Sequence, residues 1–152
     1  MCIRDSCGAF AVIRLCCYFV AYFGLCGSVR FTPRAGLCWT LALVLERALS
    51  GFAVAAFPLA KDTGLAHTFA TAADKQTVRR FLCGLSALLI LALTALGGGG
   101  LAAAALLAMC RYYFVAKRQF GGITGDLAGW FLQRAELWML AALAVSQWGG
   151  VL

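Results

Sequence analysis

Residues 81–115 read Phe81-Leu82-Cys83-Gly84-Leu85-Ser86-Ala87-Leu88-Leu89-Ile90-Leu91-Ala92-Leu93-Thr94-Ala95-Leu96, then Gly97-Gly98-Gly99-Gly100, then Leu101-Ala102-Ala103-Ala104-Ala105-Leu106-Leu107-Ala108-Met109-Cys110-Arg111-Tyr112-Tyr113-Phe114-Val115. A helix needs about 20 apolar residues to cross a hydrocarbon core, and each of these runs approaches that length. Four consecutive glycines are too costly in backbone entropy to continue a helix comfortably. The stretch therefore predicts two antiparallel spans, Phe81–Leu96 and Leu101–Val115, joined by a tight turn at Gly97–Gly100. Both spans are short, so tilt or partial burial is expected.

Three more apolar runs lie to either side. Gly8–Leu25 is rich in aromatic residues and is interrupted by Arg14. Ala35–Ala60 is long, with Glu46 and Arg47 near its middle and Pro58 near its end. Trp130–Leu152 carries Gln133, Arg134 and Glu136 in its opening turns. The expected fold class is all-α, a polytopic integral membrane helix bundle of about five transmembrane helices forming one domain over residues 1–152.

Composition agrees. Of 152 residues, 63% are hydrophobic and 12% charged, and the mean hydropathy is +0.88. A soluble domain is closer to half apolar and a quarter charged. So short a chain cannot bury this much apolar surface in one water-facing core. An ordinary soluble enzyme, a disordered tail and a nucleic-acid-binding domain are excluded. The balance of 13 Lys+Arg against 6 Asp+Glu suits an anionic membrane surface or phosphate ligands. Eight cysteines form no CxxC pair and His67 stands alone, so buried free thiols are expected rather than zinc, haem or disulfides.

Lys and Arg in the short loops set orientation. The loop after the second span carries Lys61, Lys75, Arg79 and Arg80, and the loop after the fourth carries Lys117 and Arg118. The glycine turn and the C-terminal tail carry none, while Arg30 and Arg34 dissent mildly between the first two spans. Loops Lys61–Arg80 and Ala116–Gly129 are expected in the cytoplasm, and the protein in the cell (plasma) membrane. No cleavable signal peptide is expected. Met1-Cys2-Ile3-Arg4-Asp5-Ser6 is similar to translated sequencing-adapter sequence, and the chain begins almost inside its first span. An N-terminally truncated fragment is the expectation.

Ionisable residues at membrane depth are candidates for function until a partner neutralises them. Adjacent Glu46 and Arg47 point about 100° apart on a helix and do not pair with one another. An interhelical ion pair is one reading of them, and a functional role the other. Arg14 is left unassigned, with snorkelling to the headgroups as one account. The richest segment is Lys117-Arg118-Gln119-Phe120-Gly121-Gly122-Ile123-Thr124-Gly125-Asp126-Leu127-Ala128-Gly129. Glycines Gly121, Gly122 and Gly125 let backbone N–H groups approach an anion, and a following helix N-terminus adds a favourable dipole. Lys117 and Arg118 can neutralise phosphate oxygens, and Asp126 can hold a divalent cation or act as a base. Equally open is a helix-cap loop in which Thr124 or Asp126 satisfies free N–H groups. The Gly-Lys-Ser/Thr ending of a Walker A loop is absent. The loop Lys61–Arg80 reads either as a solvated connector or as a wall over a phosphate-bearing ligand.

Phe120-Gly121-Gly122-Ile123-Thr124-Gly125-Asp126, followed by an apolar helix bearing Glu136, resembles the C-terminal signature of the adenosylcobinamide-GDP ribazoletransferase, or cobalamin synthase, family. Arg47-Ala48-Leu49-Ser50-Gly51, Phe57-Pro58-Leu59-Ala60-Lys61 and Gly64-Leu65-Ala66 are similar to its middle region in matching order. The resemblance covers residues 35–145 or so. It implies a membrane enzyme that joins adenosylcobinamide-GDP to α-ribazole or α-ribazole 5′-phosphate, releasing GMP and needing Mg²⁺. Asp126 would be metal ligand or base, and Thr124 a catalytic-loop residue. Lys117, Arg118, Gly121, Gly122, Gly125, Arg47 and Lys61 would meet phosphates. The implied partners are those two substrates and the bilayer, without nucleic acid; a homo-oligomer is compatible with the sequence. The family is longer and carries an N-terminal Asp-Gly-Leu-Ala-Asp type motif, with no counterpart here. The competing class is a non-catalytic transporter subunit or scaffold whose glycine-rich loop only caps a helix. A CDP-alcohol phosphotransferase would need an Asp-Gly-x-x-Ala-Arg motif, which is absent.

Overall fold

The computed structural model describes residues 9–30, 32–57 and 75–150. It is all-helical: α1 Ala9–Ser28, α2 Pro33–Ala56, α3 Lys75–Ala95, α4 Gly99–Gln119 and α5 Gly125–Trp148. Each expected span appears as a helix. Three of them, Pro33–Ala56, Gln76–Ala95 and Gly99–Gln119, are long and apolar enough to cross a membrane.

The helix ends follow local chemistry. Thr32 caps α2 by accepting the Ala35 N–H at 3.1 Å, and Pro33 supplies a preset φ in the first turn. The span expected to reach Ala60 stops at Ala56, with Phe57 extended at ψ 153°. A proline at Pro58 disfavours helical backbone in the residue before it, which accounts for the early stop. The spans expected at Phe81–Leu96 and Leu101–Val115 are longer than their apolar cores, at 21 residues each. Polar turns at Lys75–Arg80 and Ala116–Gln119 continue the helices, so shortness no longer demands tilt. The last helix likewise begins at Gly125 rather than Trp130.

The glycine run divides its labour. Gly97 adopts φ +84°, a conformation that side chains resist. A Cβ on Gly98 would stand 3.2 Å from both Cys38 Sγ and the Leu93 carbonyl oxygen. Only these two make the turn; Gly99 and Gly100 already belong to α4. At Gly100 a Cβ would lie 3.1 Å from Ser146 Oγ, so the missing side chain lets α4 approach α5.

Within the bundle α2 packs mainly on α3, α4 mainly on α5, and α2 also touches α4 and α5, while α1 lies against α5. Small residues make the close approaches: Ala35, Ala42, Ala48 and Ala53 on α2 and Ala102, Ala105, Ala108 and Ala116 on α4 are buried. Membrane helices associate in this way, because lipid removes the hydrophobic drive that joins helices in water. Tyr112 and Phe131 stack at 5.1 Å in the core. The outer faces are apolar, with Phe23 83%, Val20 73% and Leu91 67% exposed. An apolar exterior suits a bilayer.

The described cysteines are free, as expected, but the expectation of burial fails. Cys38 is buried, whereas Cys16, Cys17, Cys83 and Cys110 are exposed on helix exteriors. In lipid an outward face is as apolar as a core, so hydrophobicity alone does not place a thiol inside.

Two bundle ends result. At one, Arg34 Nε donates to the Leu96 carbonyl at 2.8 Å. There also Gln147 exchanges hydrogen bonds with the Arg30 backbone at 2.9 and 2.6 Å. At the other end, Phe57 packs against Tyr113 at 4.8 Å, and α4 turns into α5. The cations of α4 and those at the start of α2 therefore sit at opposite ends.

Candidate active site

The turn between α4 and α5 is built from backbone chemistry. Gly121 adopts φ +67°, which lets the Gly122 N–H reach back to the Ala116 carbonyl at 3.1 Å. Phe120 N–H donates to that same carbonyl at 3.2 Å. Ile123 is buried and anchors the turn. Thr124 then caps α5, its Oγ1 accepting the Leu127 N–H at 3.3 Å. The capping role read from the sequence is thus real. It leaves the Thr124 hydroxyl proton free to donate. Gly125 and Asp126 occupy the first turn of α5 and are exposed. The Asp126 carboxylate sits where a helix N-terminus favours negative charge.

Lys117 and Arg118 lie in the last turn of α4 rather than in the loop. Neighbours on a helix diverge by about 100°, and these two do. Lys117 Nζ stands over the Tyr113 ring at 5.8 Å. Arg118 lines a cleft of about 530 Å³ with Arg111, Phe114 and Trp138. Lys61 falls outside the described residues, as do Asp62, His67 and Asp74.

Arg47 belongs to a second constellation, deeper in the bundle. Its Nη2 lies 3.5 Å from Glu136 Oε1 on α5, and the Tyr18 hydroxyl of α1 donates to Glu136 Oε2 at 3.3 Å. One carboxylate ties three helices together. Glu46, one residue before Arg47, points inward: it is fully buried, and neither of its carboxylate oxygens has a hydrogen-bond partner among the described residues. Of the two readings for this pair of residues, the interhelical ion pair is present, and its acid is Glu136. Tyr18 and the bridging role of Glu136 escape a linear reading. One signal was available: an arginine at mid-span needs a carboxylate on another helix, and after Arg80 the only acids are Asp126 and Glu136.

Asp126 can give a Mg²⁺ ion one carboxylate oxygen, which suits a hard cation that keeps water and takes one or two carboxylates beside phosphate oxygens. Among the described residues no three His, Cys, Asp or Glu side chains gather into a metal site.

The fold and these sites define a helical membrane protein whose glycine-rich turn and exposed carboxylate lie at one end of the bundle. The sequence pattern of the cobalamin-5-phosphate synthase family matches residues 3–144, and the chain belongs to that family. The match takes in α1 and the Asp5-Ser6 stretch, beyond the resemblance seen over residues 35–145. An adenosylcobinamide-GDP ribazoletransferase of Lachnoclostridium phytofermentans is 41% identical over 148 residues, covering 91% of this chain and 52% of that protein. A second, from a Roseiflexus species, is 36% identical over 125 residues, covering 76% of this chain and 44% of its own length. The chain thus spans about half the length of the curated relatives it matches. No solved structure matches it.

Proposed function

We propose that the chain carries part of an adenosylcobinamide-GDP ribazoletransferase. The reaction moves the adenosylcobinamide phosphate moiety from adenosylcobinamide-GDP to α-ribazole or its 5′-phosphate. A ribose hydroxyl attacks the phosphorus next to the cobinamide, the phosphoanhydride bond breaks, GMP leaves and the hydroxyl proton is lost. The observation that carries the reading is family membership over residues 3–144 together with the exposed turn that this family match contains.

The chain's own groups have separable tasks. Asp126, exposed at the start of α5, accepts the hydroxyl proton, or would ligate Mg²⁺ when the ion is bound. Gly121, Gly122 and Gly125 keep side chains away from an approaching phosphate. Lys117 and Arg118 offset phosphate charge from the end of α4, and Lys61, outside the described residues, is a further cation for the same phosphates. The Arg47 side chain is 63% exposed while paired with Glu136, so donors remain for a phosphate oxygen. Thr124 fixes the entry to α5. When bound, Mg²⁺ would neutralise charge on the phosphates. The cationic end faces the cytoplasm of a cell inner membrane in this proposal.

The test is GMP release from adenosylcobinamide-GDP and α-ribazole in proteoliposomes. The chain is assayed alone and with the portion of the Lachnoclostridium relative outside the match. Mg²⁺-dependent release that Asp126→Asn abolishes, with membrane insertion retained, is the expected result. No release in either preparation overturns the function, and full turnover by Asp126→Asn removes that residue from the site.

A further inference from the structure

A cleft of about 470 Å³ opens between α1 and α5. Its polar lining is Arg14, Tyr18, Gln133 and Arg134, and Trp130 and Leu137 add apolar wall. We propose that this cleft binds a phosphate ester, its two guanidiniums gripping the phosphate and its apolar wall taking the organic substituent.

Charge is the first ground. Arg14 and Arg134 both lie within apolar helices, and neither has an ion-pair partner among the described residues. The one ion pair found there joins Arg47 to Glu136, and Tyr18 holds the other oxygen of that carboxylate. The acid nearest in sequence to Arg134 is therefore already engaged. Two guanidiniums without an ion-pair partner among the described residues, lining one cleft, call for an anion. Arginine's planar fork of N–H donors matches phosphate oxygens two at a time. Trp130 supports one fork in place, with Arg134 Cζ 5.8 Å from its ring centre.

Size and register are the second. The volume lies in the range of small-molecule sites and exceeds what inorganic phosphate fills, so an organic substituent fits beside it. Asp126, Trp130, Gln133 and Leu137 recur at intervals of four, three and four, which places them along one face of α5. The cleft thus lies on the α5 face that carries Asp126, with Trp130 one helical turn further along. A soluble diphosphate ester and the headgroup of an anionic lipid share this chemistry. Binding at the cleft needs no turnover and stands apart from the transfer reaction.

Two probes test the cleft, with tryptophan fluorescence as readout and Trp130→Phe as the check on its source. Pyrophosphate is titrated into the detergent-solubilised chain, and the chain is compared in nanodiscs of phosphatidylcholine with and without phosphatidylglycerol. Saturable binding of at least one probe is expected, weakened tenfold or more by Arg14→Gln and by Arg134→Gln. Arg14→Lys, which keeps charge without the fork, should fall between. Arg30→Gln removes the same charge at the opposite bundle end and should change nothing. Response to pyrophosphate alone assigns a soluble ligand, and response to phosphatidylglycerol alone assigns a lipid headgroup. No saturable response to either probe overturns the proposal. So does unaltered binding by the two Gln variants, or an equal loss in Arg30→Gln.

Discussion

Arg47 Nη2 lies 3.5 Å from Glu136 Oε1, which joins the middle of α2 to the middle of α5. The Arg47 side chain is 63% exposed, and partly exposed pairs contribute little, about 0.2–1 kcal/mol. A double-mutant cycle of Arg47→Gln and Glu136→Gln should return a coupling in that range, read from unfolding midpoints in mixed micelles. Glu136→Gln also keeps an acceptor for Tyr18, so Glu136→Ala should cost more. Additive single variants would mean that the pair is not formed.

Glu46 is the opposite case, fully buried with both oxygens unpartnered among the described residues. An unsatisfied buried polar group costs about 1–3 kcal/mol, and an apolar residue of similar size avoids it. Glu46→Leu should raise stability by about 1–3 kcal/mol in the same unfolding assay. A loss of stability instead would show that Glu46 has a partner.

The four glycines should separate by position. Gly97→Ala forces a side chain into a left-handed conformation at a cost of about 1–2 kcal/mol. Gly98→Ala sets a Cβ 3.2 Å from the Leu93 carbonyl oxygen, so it too should destabilise. At Gly99 the nearest atom, Thr94 Cγ2, would be at an ordinary 3.6 Å. Gly99→Ala should therefore be neutral or stabilise by up to about 1 kcal/mol. Equal losses at all three positions would contradict the turn as described.

Thr124 caps α5 through Oγ1, and loss of such a cap costs about 1 kcal/mol. Thr124→Val should speed hydrogen exchange at the Leu127 amide, and Thr124→Ser should restore protection. If Thr124→Ser retains turnover while Asp126→Asn loses it, capping accounts for Thr124 without a direct chemical step.

The residues legible in the sequence are those governed by their neighbours along the chain. Apolar run length marks five helices, and a threonine just before an apolar helix marks Thr124 as a cap. The ends were less legible because Lys75–Arg80 and Lys117–Gln119 are polar helical turns, which an apolar count stops short of. The candidate turn was found whole, but its cations were expected to lead together into the loop. Their angular separation on α4 sends Lys117 to Tyr113 and Arg118 to the cleft beside Trp138.

By itself the sequence determined an all-helical membrane bundle and the gathering of its glycine-rich turn with Asp126. Apolarity, capping and backbone freedom are local properties, so they can be read without a partner. Only the tertiary structure decided that Glu136 serves both Arg47 and Tyr18, the latter 118 residues away, while Glu46 faces inward with no hydrogen-bond partner among the described residues. Helical periodicity fixes the face on which a charge lies. Which helix meets that face depends on where small residues allow close approach, and that is settled only when the helices pack.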